Sequence, residues 1–203
     1  MSDRRTPLNI ESVDANPFEQ FQLWFAEASG LMDEREAVAL ATASLEGAPS
    51  VRMVLMRHHD GRSFGWYSNY DSRKGSELAA NPCAALLWYC EPLGRQIRIE
   101  GDVETMSDAE SDAYFATRHR GSQLGAHASH QSHFLASREE LEARVEEFGA
   151  LYEGRDVPRP SFWGGYRLIP TRFEFWQHRE DRLHDRIVYL PDGSSWTRER
   201  QSP

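Results

Sequence analysis

The chain is poor in lysine, in cysteine and in long apolar runs. Its 203 residues include one lysine, Lys74, beside 22 arginines, and the formal net charge is −9. The two cysteines, Cys83 and Cys90, match neither a metal-site nor a disulfide-framework spacing, which suits a reducing cytosol. No apolar run approaches the roughly 20 residues that a membrane-spanning helix needs, and residues 1–9 lack the apolar segment of a secretory signal. We therefore expect a cytoplasmic protein that does not span a membrane.

The charge balance bears on the ligands that the protein can bind. An acidic chain repels polyanions at long range, so we expect no nucleic-acid partner. Arginine is nevertheless well suited to bidentate phosphate contacts, which leaves small anionic ligands open. The excess of arginine over lysine is by itself explained by a coding bias.

Turn signals divide the chain into short strands and a few helices. Asn16, Ser107 and Ser137 are placed as N-caps at the start of three helices. Strand patterns cover 37–43, 50–58, 63–68, 83–89, 95–105, 165–169, 172–176 and 186–190, with a short helix over 72–80 and a terminal strand from Trp196. Short strands with few helices predict an α+β, mainly β fold, in which helices pack outside a small β-barrel.

The histidines do not make a convincing metal site. His127, His130 and His133 recur every three residues, but no clear helical pattern brings them onto one face, and no fourth ligand follows at a familiar spacing. We therefore predict no metal. The sequence also lacks a Gly-x-Ser-x-Gly elbow and the Walker and Rossmann glycine patterns, which argues against serine-nucleophile catalysis and P-loop nucleotide binding.

Arginines and polar residues collect near the ends of the predicted strands. Ser72, Arg73 and Lys74 lie at a predicted helix N-terminus, where backbone amides and the helix dipole favour an anion. Surface ion pairing with the many carboxylates remains the better explanation for any single arginine. Spacing alone therefore indicates no more than a ligand that carries phosphate.

Six stretches of the sequence, taken in order, resemble one known family. They are VRMVLMRHHD, WYSNYDSRKGSELAANP, RQIRIEGDVE, YFATRHRGSQLGAHASHQS, FWGGYRLIP and FEFWQHREDRLHDR. Together they resemble the pyridoxamine 5′-phosphate oxidase family, from about Asn16 nearly to the C-terminus. The resemblance implies an FMN-binding split β-barrel with peripheral helices, formed by a single domain over 16–203 after a flexible N-terminal arm over 1–15. It also implies a homodimer with FMN at the interface.

The resemblance assigns roles to individual residues. The FMN contacts that it implies are Arg52, Met53, Val54, Leu55, Met56, Arg57, Tyr67, Ser68, Arg73, Lys74, Gln96, Gln131, Ser132, Trp176 and Arg186, and some of these would reach across the dimer. The substrate contacts that it implies are Arg57, Tyr114, Arg118, Ser122, Arg182, Leu183 and His184. Arg73 and Lys74 would grip the FMN phosphate, and Arg182 and His184 would be the catalytic residues, facing the reacting carbon.

The implied reaction is oxidation of pyridoxamine or pyridoxine 5′-phosphate at C4′ to pyridoxal 5′-phosphate. A hydride passes to flavin N5, and the imine from the amine substrate is hydrolysed with release of ammonia. Dioxygen then reoxidises the flavin and yields hydrogen peroxide. The protein mainly orients two stacked rings and clamps two phosphates, since the cofactor carries the redox chemistry.

Two departures from the family pattern leave other functions open. Arg57 stands where the family usually has lysine, and residues 1–15 have no clear counterpart of the family's Arg-x-x-Tyr segment, which covers bound substrate. One alternative is a related FMN-dependent oxidase of another substrate, of the phenazine-biosynthesis type. The other is a non-catalytic flavin- or vitamin B6-binding protein on the same barrel.

Overall fold

Nine antiparallel strands form one sheet, and five α-helices accompany it, in residues 7–203, which the computed structural model describes. The strands are β1 (Ala37–Ala43), β2 (Pro49–Leu55), β3 (His58–His59), β4 (Phe64–Asn69), β5 (Cys83–Cys90), β6 (Arg95–Thr105), β7 (Trp163–Gln177), β8 (Asp185–Asp192) and β9 (Ser195–Gln201). The helices are α1 (Pro17–Glu27), α2 (Arg73–Ala80), α3 (Asp108–Thr117), α4 (Arg120–Ala128) and α5 (Arg138–Leu151). The predicted α+β, mainly β class is confirmed.

The long strand β7 organises the sheet. The strand order is β2-β1-β5-β6-β7-β4-β3, and β8 and β9 continue from β7. On the side away from β6, β7 pairs with β4 over residues 163–168 and with β8 over residues 173–177. Because two different strands share one side of β7, the sheet curls into a half-barrel.

A bulge explains why β7 is one strand where the sequence predicts two. Glu100 of β6 pairs with Arg172, but Gly101 pairs with Pro170, so Thr171 is the extra residue. Pro170 has no N–H to donate to a ladder, and a bulge is one of the few places in a sheet that tolerates it. The break in the alternating pattern at Pro170 therefore marks a bulge and not a turn.

The predicted helix starts are confirmed by their caps. Asn16 accepts a hydrogen bond from the amide of Phe18 at 3.0 Å, and Ser107 and Ser137 each accept one from the amide three residues further on. Two other elements differ from the sequence prediction. The predicted strand 50–58 is divided into β2 and β3, and helix α4 is not predicted, because its two glycines and mixed polar residues give no apolar periodicity.

The main core lies between α1 and the sheet. Aromatic rings of α1 meet rings of the strands edge to face: Phe21 lies 4.8 Å from Phe64 and Trp24 lies 5.2 Å from Phe175, measured between centroids. Such contacts add to the free energy gained by burying the rings. Aromatic rings therefore form a large part of this core, together with aliphatic side chains.

The start of the described chain packs on this core. Leu8 and Val13 are buried in it, and the amide of Leu8 donates to Asp185 at 3.1 Å. Residues 1–6 of the predicted N-terminal arm lie outside the described residues, so the boundary at residue 16 stays a prediction. None of the helices found between residues 7 and 203 has the length and apolarity that crossing a lipid bilayer requires.

Candidate active site

A cleft of about 1000 Å³ gathers most of the residues that the sequence singles out. The predicted site residues that line it are Arg52, Met53, Val54, Leu55, Arg57, Tyr67, Ser68, Arg73, Lys74, Tyr114, Arg118, Ser122, Gln131 and Ser132. Four arginines and one lysine are among them, whereas no Asp or Glu lines the cleft among the residues that the structure describes. The cleft is thus electropositive in a chain whose net charge is −9.

Lys74 is a buried cation in the wall of this cleft. The residue is only 7% exposed, and its Nζ donates to Ser68 Oγ at 3.0 Å, Ser72 Oγ at 3.1 Å and Gln131 Oε1 at 2.8 Å. Within residues 7–203 no carboxylate pairs with it. Burial and the neighbouring charge of Arg52 lower the pKa of Lys74 to about 8. An anionic group in the cleft would compensate this charge.

The local fold of α2 places that charge. Ser72 caps the helix: its Oγ accepts from the amide of Gly75 at 3.3 Å and donates to the carbonyl of Asn69 at 2.7 Å. A Cβ on Gly75 would lie 2.0 Å from the carbonyl oxygen of Tyr70, so this close approach requires glycine. The first turn of α2, which carries Arg73 and Lys74, therefore lines the cleft, and Ser72 caps the N-terminus of this helix.

Arg118 is a second cation of the cleft, half-buried at the junction of α3 and α4. Its guanidinium lies over the ring of Trp163, 4.6 Å from the centroid. Burial lowers its pKa, and its Nη1 is buried without a hydrogen-bond partner in the described part of the chain. Tyr114 and Tyr67, which also line the cleft, stack with centroids 3.8 Å apart. An unsatisfied N–H beside an aromatic wall suits an anionic, ring-bearing ligand.

The remaining predicted residues, apart from Met56, form a second group outside the cleft: Gln96, Trp176, Arg182, Leu183, His184 and Arg186. The strand register places Gln96 opposite Trp176, and Trp176 opposite Arg186. The His184 ring lies 4.5 Å from that of Trp176. Arg182 has a left-handed backbone with φ of 62°, which non-glycine residues rarely adopt. One chain thus presents its candidate site residues on two separate surfaces.

Met56 differs from the other predicted FMN contacts. It is 2% exposed and packs in the hydrophobic core, so its side chain does not reach the cleft. The roles that the resemblance assigns to these residues stay predictions.

Three residues that the sequence does not single out lie next to the predicted ones. Trp163 lies under Arg118, the buried Glu77 contacts Arg73, and the buried Glu174 holds Arg186 with two hydrogen bonds of 2.8 and 3.0 Å. The spacing of Glu77, four residues after Arg73 on a predicted helix, is the only sequence signal among them. The other contacts depend on strand pairing that the sequence does not reveal.

The histidines of α4 and the loop after it do not form a metal site. In the portion of the chain that the structure describes, no three His, Cys, Asp or Glu side chains are placed to hold a metal ion. His127 instead lies with Nε2 2.7 Å from the carbonyl oxygen of Pro158.

The protein is thus of the class of mainly β proteins built on a curled half-barrel sheet, and its cleft is lined by positive charge. The family model of pyridoxamine 5′-phosphate oxidase matches residues 26–152, and that of the pyridoxine 5′-phosphate oxidase C-terminal dimerisation region matches residues 163–203. The chain belongs to the pyridoxamine 5′-phosphate oxidase family. The predictions of this family and of an oxidoreductase enzyme are therefore confirmed.

Curated relatives match along more than nine-tenths of their length. The pyridoxine/pyridoxamine 5′-phosphate oxidase of Rubrobacter xylanophilus is 53% identical, over 98% of this chain and 92% of its own. The protein of the same name from Bordetella petrii is 52% identical, over 100% of this chain and 96% of its own.

Solved structures confirm the split-barrel fold. PhzG from Burkholderia lata, in complex with tetrahydrophenazine-1-carboxylic acid, superposes with a TM-score of 0.91 at 34% identity, covering 99% of this chain and 100% of that one. A pyridoxamine 5′-phosphate oxidase-related, FMN-binding protein from Nostoc punctiforme gives a TM-score of 0.71 at 16% identity, over 95% and 99% of the two chains.

Proposed function

We propose that this protein is an FMN-dependent oxidase that converts pyridoxamine 5′-phosphate and pyridoxine 5′-phosphate to pyridoxal 5′-phosphate. Dioxygen is the acceptor and hydrogen peroxide is released, together with ammonia from the amine substrate. The observation that carries the proposal is a pair of cations, the buried Lys74 on α2 and the half-buried Arg118 at the α3–α4 junction, in a cleft that no carboxylate of residues 7–203 lines. Cofactor and substrate each bring one phosphate, so two anion sites in one cleft match the two ligands.

The residues around Lys74 fit the phosphate of FMN. Arg52, Arg73 and Lys74 supply positive charge, and Ser68 and Gln131 surround the ammonium group. FMN is the cofactor of the family to which this chain belongs, which supports the assignment, as does the name of the Nostoc punctiforme structure. Bound FMN would supply the two-electron chemistry and the reaction with dioxygen. The protein's part is to bind the phosphate and to hold the ring in place.

The residues around Arg118 fit the phosphate of the substrate. The unpaired Nη1–H of Arg118 would donate to it, with the Tyr114 and Ser122 hydroxyls beside it. Arg182 and His184 would orient the pyridine ring. Burial and the nearby His178 and Arg182 lower the pKa of His184, which favours the neutral ring. Its Nδ1 accepts from the amide of Arg179 at 3.1 Å, so Nε2 of the neutral ring carries the hydrogen and would donate to the substrate.

We propose a homodimer in which the second group of one subunit completes the cleft of its partner, with FMN at the interface. Three observations support this arrangement. The second group lies outside the cleft of its own chain, residues 163–203 match a dimerisation region, and the wall of the cleft on β2 exposes the apolar side chains of Val51 and Met53. A cytoplasmic location is in keeping with the two cysteines, Cys83 and Cys90, whose spacing matches no disulfide framework.

An anaerobic titration tests the activity. Purified protein loaded with FMN should lose its yellow colour when pyridoxamine 5′-phosphate is added without oxygen, and air should then produce pyridoxal 5′-phosphate and hydrogen peroxide. If millimolar substrate leaves the flavin oxidised, the protein is a flavin- or vitamin B6-binding protein and the proposed activity is wrong.

The likeness to PhzG favours one other candidate, an oxidase of a substrate without phosphate. Comparing the turnover of pyridoxamine and of its 5′-phosphate separates the two functions. A phosphate clamp at Arg118 would favour the phosphorylated amine, whereas a site without such a clamp would not. We expect a strong preference for the phosphorylated amine. Equal turnover of both amines would favour the PhzG-like function.

A further inference from the structure

Glu77 is a buried carboxylate behind the two arginines of the proposed FMN phosphate site. It lies on α2, one helical turn after Arg73, and is 7% exposed without lining the cleft. Its Oε1 accepts a hydrogen bond from Arg73 Nε at 2.9 Å, and its Oε2 lies 3.4 Å from Arg52 Nη2. One carboxylate thus contacts both arginines from the side away from the cleft.

Two hydroxyl groups complete the network around this carboxylate. Thr42 Oγ1 and Ser50 Oγ each donate to Glu77 Oε2 at 2.5 Å. Arg52 is tied to the same groups, because its Nη1 donates to Thr42 Oγ1 at 2.6 Å and to the carbonyl of Leu40 at 3.1 Å, and its Nη2 donates to Ser50 Oγ. Glu77 therefore joins α2 to β1 and β2 where both arginines reach the cleft.

The contacts leave part of Arg73 available to a ligand. Within the described chain, the Arg73 side chain donates one hydrogen bond, from Nε to Glu77. The side chain is 61% exposed and lines the cleft. A guanidinium held along one edge loses less conformational freedom when its other edge binds an anion. Burial raises the pKa of Glu77, but hydrogen bonds from Ser50, Thr42 and Arg73 outweigh it and lower the pKa to about 2. The carboxylate is thus ionised throughout the neutral range.

Charge and geometry make opposite predictions for this residue. A negative charge behind the arginines opposes the binding of a phosphate, whereas fixed arginines favour it. We propose that Glu77 is a positioning residue, which holds Arg52 and Arg73 in the orientation that binds the cofactor phosphate. The inference rests on the proposed function, since it takes FMN as the ligand of this end of the cleft.

Paired titrations with FMN and riboflavin test the inference, because the two flavins differ by the phosphate alone. Glu77→Gln keeps the size of the side chain and removes its charge. We expect FMN affinity, measured by quenching of flavin fluorescence, to fall about tenfold, as for the loss of one charge-assisted hydrogen bond. The affinity of this variant for riboflavin should stay within about twofold of that of the unmutated protein. Glu77→Asp, which keeps the charge, should recover part of the preference for FMN.

A matched control is available on α5. Arg138 and Glu142 form the same i,i+4 pair, with Nε 2.6 Å from Oε1, but neither residue lines the cleft. Glu142→Gln should leave both flavin affinities unchanged. If Glu77→Gln weakens FMN and riboflavin equally, Glu77 only supports the fold, and if it strengthens FMN binding, charge outweighs positioning. Either result overturns the inference. Failure of the unmutated protein to prefer FMN over riboflavin would refute the proposed function itself, and the inference with it.

Discussion

At the scale of the residue, Lys74 stands out because the chain has no other lysine. The structure places its ammonium among two hydroxyls and one amide oxygen, a compact site that suits a point charge better than a planar guanidinium. A coding bias explains the 22 arginines but not the burial of the one lysine. The proposed role at the FMN phosphate explains both its burial and its lack of a carboxylate partner within residues 7–203.

Removing this charge should weaken cofactor binding. We expect Lys74→Ala to lower FMN affinity by about tenfold or more, because a charge-assisted contact to the phosphate is lost. Retention of FMN on gel filtration measures the effect, and Lys74→Arg serves as the variant that keeps the charge. Equal retention of FMN by Lys74→Ala and by the unmutated protein would contradict the assignment of Lys74 to the FMN phosphate.

The lowered pKa of Lys74 predicts a pH dependence of FMN binding. The free protein loses the Lys74 proton near pH 8, and only the charged form attracts the phosphate. FMN affinity should therefore fall as the pH rises from 7 to 9.5, a range in which the phosphate stays a dianion. Lys74→Arg, whose side chain stays charged, should show a flatter profile. An unchanged slope in that variant would assign the titration to another group.

At the scale of the element, the first turn of α2 depends on a close approach of two backbone segments. Gly75 leaves no room for a Cβ beside the Tyr70 carbonyl, whereas Gly121 of α4 has nothing within 4 Å. We expect Gly75→Ala to destabilise the protein by about 1–3 kcal/mol, because the backbone at Tyr70 or Gly75 must move to make room for the methyl group. The same movement should weaken FMN binding.

Gly121→Ala is the matched control for that prediction. It should be neutral or stabilise by up to about 1 kcal/mol, since alanine favours a helix. Thermal unfolding of both variants measures the difference. Equal melting temperatures would show that α2 shifts without cost and that the close approach is not required.

At the scale of the whole molecule, the proposed homodimer brings the two separate groups of site residues together, one from each subunit. We expect Arg118→Ala, in the cleft, and Arg182→Ala, in the second group, each to abolish most of the activity as homodimers. A purified heterodimer of the two variants carries one intact site, and should recover about half of the unmutated rate. If each site lies within one chain, the heterodimer stays inactive.

Local signals predicted much of the fold. The caps at Asn16, Ser107 and Ser137 depend on neighbouring residues, and the bounds of β6 follow from its alternation between buried and polar positions. Helix α4 could not be predicted in this way, because its glycines hide any apolar pattern. The pairing of β7 with three strands was equally hidden, since it joins segments that lie far apart in the chain.

The amino-acid sequence was enough to predict the types of most elements, the family, and the residues that contribute charge to the site. Three features became visible only in the folded chain. Lys74 is buried without a carboxylate partner in the described residues, Glu77 lies behind Arg52 and Arg73, and Gln96, Trp176 and His184 lie outside the cleft. The physical reason is that a cap or an alternating pattern is set by neighbours in the chain. Burial and charge pairing are instead set by residues that meet when distant strands pair.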